Sequence, residues 1–236
     1  GERQFLSLDD SAGNFLPSTL ISTTLAVADP QFWSHPGALS AGLAGNSPPT
    51  LAQRLVSDLL LWQETPGLRR ALRERLLAMQ ITQRYGKAQV LTWYLNSADY
   101  GNLAYGAEAA ARLYFGKAAG ELSLAEAAVL AATAEAPALN PLEAPAVARL
   151  RGKQVLNNMR AQGWISEAQW RAASQSEVAF QPEQAGSADL APAFTRLALK
   201  QAAEKLARQR LERGGFKVIT SLDYDLQVQA ACAAAA

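Results

Sequence analysis

The amino-acid sequence predicts a mainly α-helical protein, and three observations lead to that prediction. Apolar residues recur at spacings of three and four over residues 68–85, which is the period of a helix. Two capping boxes, Thr50 with Gln53 and Ser123 with Glu126, mark helix starts, because each hydroxyl can accept a bond from a backbone N–H. Glycine and proline residues fall where such helices would end.

The same signals, taken in chain order, predict a series of helices joined by short loops. The helices are expected at residues 19–27, 51–61, 68–85, 90–95, 108–114, 124–135, 147–162, 166–174 and 192–213. Residues 216–222 alternate as in a strand, and the terminal alanines would begin a further helix. Residues 175–190 have no period and contain proline and glycine, which indicates a surface loop.

The composition limits the classes of function. With 236 residues, 49% of them hydrophobic and 18% charged, the chain can bury one sizeable core, so one main domain is expected. A formal net charge of +1 argues against a nucleic-acid-binding protein, which needs a strongly basic surface. Cys232 and His35 are the only residues of their kinds, which excludes a disulfide framework and disfavours a Cys/His zinc site. No apolar run reaches the ~18–20 residues of a membrane helix, so this piece is expected to be soluble.

The most patterned stretch is residues 85–117. Helical spacing on both sides brackets a loop, residues 96–106, whose composition is typical of tight loops that present polar and aromatic groups. Its candidate ligand-binding residues are Asn96, Tyr100, Asn102 and Tyr105, with Gly101 and Gly106 among them. Sugar sites are often built in this way, and a packed corner between two helices would give the same pattern.

The segment YLNSADYGNLAYGAEAAARLYFGK, residues 94–117, closely resembles the core motif of the family 51 peptidoglycan glycosyltransferases. These are the glycan-polymerising domains of class A, bifunctional, penicillin-binding proteins. The resemblance continues through LSLAEAAVLAATAEAPALNP and extends more weakly back to about Leu16. It implies a lysozyme-like fold with a cleft between a larger helical lobe and a smaller region after Gly37. Residues 1–214 would form the glycosyltransferase-like domain, and residues 215–236 would begin a linker towards a transpeptidase domain.

The segment ADPQFWSHPG, residues 28–37, resembles the first motif of the family, with one departure. Phe32, His35 and Gly37 fall in place and Asp29 occupies the Asp position, while Ala28 stands where the family has the Glu that acts as base. Asp29 could replace that base only if its carboxylate pointed the same way, which neighbouring residues seldom do. A single histidine followed by Pro-Gly is more often a structural hydrogen-bonding residue than a base.

The second and third motifs are also only partly kept. Gln53 and Arg54 cover a glutamine pair of the family, and Ser57 takes the position of a Lys that neutralises pyrophosphate. Two prolines replace small residues just before Thr50. Glu74 occupies the position of the family's second acidic residue. A structural alternative for Glu74 is an ion pair with Arg70, one helical turn earlier.

Polymerising a lipid-linked disaccharide requires a base, cationic groups for the leaving pyrophosphate and a groove for the sugars. The loss of Glu at Ala28 and of Lys at Ser57 therefore predicts a catalytically weak or inactive domain that still binds glycan or precursor. We call the expected groove the candidate cleft, bordered by Gln53, Arg54, Glu74 and residues 96–106.

Two other functions stay open from the sequence. One is an active transferase that uses Asp29 and Glu74, and the other is a non-catalytic interaction module for cell-wall proteins. A lysozyme-like hydrolase is disfavoured, because only Glu74 is securely placed as a carboxylate in the cleft.

The resemblance also implies partners and a location. The expected partners are a lipid-linked peptidoglycan precursor or glycan strand, the membrane through an anchor preceding this piece, and a transpeptidase domain on the same chain. The location would be the outer face of the bacterial cytoplasmic membrane. The sequence identifies no particular cofactor, and the resemblance implies that active relatives can use a divalent cation.

Overall fold

The structure is a computed structural model that describes residues 5–8, 15–38, 48–181, 191–205 and 219–235. It is mainly helical, as the sequence predicts. The helices are α1 (Ser18–Ala28), α2 (Leu51–Leu59), α3 (Leu68–Tyr85), α4 (Lys87–Ser97), α5 (Ala107–Phe115), α6 (Leu124–Glu135), α7 (Pro145–Ala161), α8 (Glu167–Gln175), α9 (Pro192–Lys205) and α10 (Tyr224–Ala235). Two short 3-10 helices, Ala119–Glu121 and Pro137–Leu139, flank α6.

The predicted capping boxes are confirmed, and they determine where helices begin. The Thr50 hydroxyl accepts from the Gln53 backbone N–H at the start of α2, and Gln53 returns its side-chain oxygen to the Thr50 N–H. Ser123 and Glu126 form the same arrangement at α6. The sequence therefore placed both helix starts correctly, because the caps depend on residues only three positions apart.

The core of the larger part is built around α6. This helix packs against α1 and α7, and its alanines are buried on almost every side. At Gly152 in α7, an added Cβ would lie 2.5 Å from a methyl group of Val129 in α6, so only glycine permits this helix approach. Small side chains at the crossing thus let two backbones come unusually close.

A second group of helices, α2, α3 and α4, carries the candidate site. α2 packs against both α3 and α4. One side of α3 faces α2, while the other side exposes an apolar stripe that we call the α3 stripe. Its residues are Leu68, Leu72, Leu76 and Met79, which are between 38% and 75% exposed.

The chain divides into two compact units, Gly1–Gln181 and Pro182–Ala236. The boundary expected near residue 214 lies outside the described residues. Of the strand expected at residues 216–222, only residues 219–222 are described, and they form no strand. Within the described ranges, no helix is both long enough and apolar enough to cross a membrane.

Candidate active site

Residues 28–37, the first-motif segment, form a buried hydrogen-bond network that fixes the start of α2. Both carboxylate oxygens of Asp29 lie 2.9 and 3.0 Å from His35 Nε2, and Oδ2 also accepts from the Leu51 backbone N–H at 3.0 Å. His35 Nδ1 accepts from the Gly37 N–H, and Thr50 Oγ1 donates to the Gly37 carbonyl at 2.6 Å. His35 thus has the structural role that its sequence context favours, and Asp29 is its partner.

Ala28, which the resemblance to the first motif places at the position of the base, is buried at the end of α1. Its methyl group cannot accept a proton. The adjacent Asp29 carboxylate is 5% exposed and directed to His35 and to the N-terminus of α2. The catalytic role of Asp29 stays a prediction, and the geometry favours its structural role.

Two side-chain hydrogen bonds join α2 to α3, one helical turn apart. Gln53 Nε2 donates to Glu74 Oε1 at 3.1 Å, and Arg70 Nη2 donates to Ser57 Oγ at 2.8 Å. Each pair of residues on one helix is four positions apart, so both members point to the same face. Arg70 therefore binds Ser57, and the alternative in which it pairs with Glu74 is wrong.

Beside these hydrogen bonds, Arg54 forms a bidentate ion pair with Glu135 at the end of α6. Nη2 donates to Oε2 at 3.0 Å, and Nη1 donates to the other carboxylate oxygen. Burial lowers the pKa of the Arg54 guanidinium, but the hydrogen bond and charge of Glu135 outweigh it, so this pKa lies above its usual value. Tyr94 is buried against the pair, and burial raises the pKa of its phenol to about 12.

The loop of residues 96–106 is more deeply packed than its composition suggests. Tyr100 is completely buried, with a hydroxyl that has no hydrogen-bond partner among the described residues. Burial also raises the pKa of this phenol. The Tyr114 hydroxyl donates to the Tyr100 carbonyl at 2.6 Å. The expectation that the loop exposes Tyr100 is wrong, because this ring fills the core between α4 and α5.

Asn96 is likewise used to hold the chain together. Its side-chain oxygen accepts from the Leu6 N–H at 2.8 Å, and its Nδ2 donates to the Leu6 carbonyl at 2.9 Å. The amide therefore binds an N-terminal segment in the manner of a strand neighbour. A role for Asn96 in binding a ligand stays a prediction.

The exposed tip of the loop consists of Asn102 and Leu103. Both have positive φ values, 48° and 59°, and Asn102 Nδ2 donates to Asn140 Oδ1 at 3.0 Å. Gly101 approaches the segment after α6 so closely that a Cβ would lie 2.4 Å from the Pro137 carbonyl oxygen. Tyr105 is half-buried, and its neighbour Gly106 donates to the Ala98 carbonyl. The loop is thereby locked to residues 137–140.

The structure brings the predicted residues Gln53, Arg54 and Glu74 together around the first turn of α2, with Tyr94 beside Arg54. Asn102 lies beside Asn140, and Asn96 is bound to Leu6. Sequence reasoning missed Glu135 and Tyr94, whose partners are distant in the chain. The sequence indicated Glu74 as the partner of Arg70, because residues four positions apart share a helix face. In the structure Arg70 binds Ser57 of α2 instead.

The site offers no obvious metal-binding cluster. Over the described ranges, no group of three or more His, Cys, Asp or Glu side chains is arranged to hold a metal ion. The hydrogen-bonding groups that the site does present are an amide, two carboxylates, a hydroxyl and two guanidinium groups. Such groups are suited to hydroxyl-bearing or anionic ligands.

Comparison with solved structures identifies the fold. The chain matches the crystal structure of penicillin-binding protein 1A from Haemophilus influenzae with a TM-score of 0.52 at 21% identity. The match covers 89% of this chain and 22% of that one. This likeness shows that the chain has the helical fold of about one fifth of that larger protein.

Comparison of sequences identifies the family. The transglycosylase family profile matches residues 3–160, so the chain belongs to this family, the family 51 glycosyltransferases. It is 32% identical to penicillin-binding protein 1A of Aquifex aeolicus over 96% of its length, and 30% identical to that of Rickettsia felis over 91%. The chain spans only 32% and 29% of those relatives.

We expect Asp29→Asn to lower the free energy of unfolding by about 1–3 kcal/mol, because a buried charge-assisted bond to His35 is lost. Asp99→Asn is the matched control, since Asp99 is exposed and accepts from the Gly101 N–H. Urea denaturation measures both. An Asp29 variant as stable as the control would show that this carboxylate does not organise the segment.

Proposed function

We propose that this domain is a peptidoglycan glycosyltransferase-type domain of a penicillin-binding protein that binds glycan or lipid-linked disaccharide and polymerises it weakly or not at all. The observation that carries the proposal is the pair Ala28 and Asp29. The first offers only a buried methyl group at the base position, and the second holds His35 and Leu51. A general base contributes roughly 10²–10⁴-fold to a rate, so its loss leaves little turnover.

The active-transferase alternative requires Asp29 to accept the proton from the sugar hydroxyl. In the present geometry that would break its bond to His35 or to the Leu51 N–H. Proton abstraction needs the base within about 2.6–3.2 Å of the donor oxygen, and a carboxylate turned into the protein does not reach it. The geometry therefore favours the weak or inactive domain.

The position of the second-motif Lys has lost less positive charge than the sequence suggests. Ser57 replaces the family's Lys, yet its hydroxyl accepts from Arg70 of α3. A guanidinium group thus contacts the side chain that stands at the family's Lys position. One nitrogen of Arg70, Nε, is buried and has no partner among the described residues. We infer that Arg70 can substitute in part for the missing cation, so the base is the more serious loss.

The proposed location is the outer face of the cytoplasmic membrane, next to a lipid-linked ligand and on one chain with a transpeptidase domain. The relatives named as penicillin-binding proteins support this arrangement. The α3 stripe supports it physically, because four large apolar side chains on one exposed helix face suit the boundary of a bilayer. Arg69 borders the stripe and would face anionic headgroups, whereas the neighbouring Arg73 is ion-paired with Glu64.

We expect the unsubstituted domain to form almost no glycan polymer from lipid-linked disaccharide, and Ala28→Glu to raise the yield by about tenfold or more, because it supplies a base. Ala28→Gln controls for side-chain size. Adding Arg70→Gln to Ala28→Glu should reduce the gain. Turnover of the unsubstituted domain equal to that of an ordinary family member would instead favour the active alternative.

Glycan binding without catalysis has its own test. We expect calorimetry to detect binding of an undecorated glycan oligomer, and Asn102→Gly to weaken it about two- to tenfold by removing one amide. Leu103→Gly is matched to it, since both positions have positive φ that glycine accepts. Absence of heat with the folded protein, for both the oligomer and a lipid-linked precursor analogue, would favour an interaction module.

The α3 stripe can be tested with vesicles of phosphatidylglycerol and phosphatidylcholine in equal parts. We expect Leu72→Ser with Leu76→Ser to reduce co-sedimentation of the domain by about tenfold or more, since burial of each apolar side chain is lost. Gln80→Ser with Gln83→Ser changes polar residues that are also exposed on α3. Equal loss in both double variants would contradict a bilayer contact through the stripe.

A further inference from the structure

The ion pair between Arg54 and Glu135 is the contact in the candidate cleft that the family resemblance does not account for. The residues are 81 positions apart and join α2 to the last residue of α6. The guanidinium group meets both carboxylate oxygens, which is the strongest geometry that such a pair adopts. Each side chain is about one fifth exposed, at 21% and 22%, so one edge of the pair is open to solvent.

The environment makes this pair a strong internal contact rather than a surface ion pair. Tyr94 is 4% exposed and lies against Arg54, and Pro49 adds a carbonyl oxygen at 3.4 Å from Nε. Because water reaches only one edge, the guanidinium group has little alternative solvation. A partly buried Arg54 without Glu135 would therefore require another anion.

The neighbouring charges balance in the same way. Arg70 and Glu74 lie one turn apart on the face of α3 that meets α2. The four groups Arg54, Arg70, Glu74 and Glu135 sum to zero formal charge, and Asp58, whose charge also acts on Tyr94, adds a negative charge. A site that binds pyrophosphate needs an excess of positive charge, since the ligand must exchange its hydration for these contacts.

We propose that Glu135 is an internal counter-anion that occupies Arg54 and thereby determines the ligand class of the candidate cleft. Uncharged glycan enters without disturbing the pair. A phosphate or pyrophosphate group can bind the Arg54 guanidinium only by displacing the Glu135 carboxylate. This inference rests on the proposed function for the natural ligand, which would be the glycan rather than the pyrophosphate end of a precursor.

The test is Glu135→Gln, with inorganic pyrophosphate as the probe in calorimetry. The amide keeps the side-chain size and can still accept one bond, but it no longer neutralises Arg54. We expect pyrophosphate to bind about ten- to a hundredfold more tightly than to the unsubstituted domain, the gain of a charge-assisted contact. Glu143→Gln is the control, because Glu143 is exposed and lies shortly after Glu135. It should leave pyrophosphate binding unchanged.

A double variant tests whether the gain in pyrophosphate affinity depends on Arg54. Arg54→Gln combined with Glu135→Gln leaves an uncharged pair of similar size, and it should abolish the gain. If Glu135→Gln is too unstable for calorimetry, the rise in its melting temperature with pyrophosphate measures the same binding. An equal affinity in Glu135→Gln and the unsubstituted domain would overturn the proposal.

The outcomes separate this inference from the proposed function. Glycan binding measured with an oligomer should be the same in Glu135→Gln and in the unsubstituted domain. Loss of glycan binding in both, with the pyrophosphate gain present, would contradict the proposed ligand but leave the role of Glu135 intact. Glycan binding without a pyrophosphate gain would contradict only the role of Glu135.

Discussion

The buried contact of Asp29 with His35 and the Leu51 N–H is the constraint on which the site depends. It joins the end of α1 to the start of α2, and Thr50 belongs to the same hydrogen-bond network because its hydroxyl donates to the Gly37 carbonyl. A carboxylate at a helix N-terminus also interacts favourably with the helix dipole. Because Gln53, Arg54 and Ser57 all project from α2, their positions depend on how this one helix start is held.

From α2, the site extends to two other parts of the fold. Gln53 and Ser57 meet α3, and Arg54 reaches the end of α6. The residues after α6 in turn hold the tip of the loop through Asn140 and Asn102. Substitutions at single positions can therefore change the chemistry of the site while the scaffold persists.

Much of the fold could be predicted from the sequence, because its signals are local. α3 and α6 begin and end at the predicted residues, and the caps at Thr50 and Ser123 form as expected. The structural role of His35 also followed from its neighbours. The burial of Tyr100 could not be predicted, since a loop rich in asparagine and glycine has the same composition whether its tyrosine faces solvent or the core.

The sequence by itself determined the family and the ends of helices such as α3 and α6. It also predicted that chemistry is lost at Ala28 and Ser57. These depend on residues a few positions apart or on the identity of one side chain. Only the tertiary structure decided that Arg70 binds Ser57 and that Arg54 binds Glu135. Such pairs join different helices across 13 and 81 residues, and their partners are set by how the helices pack.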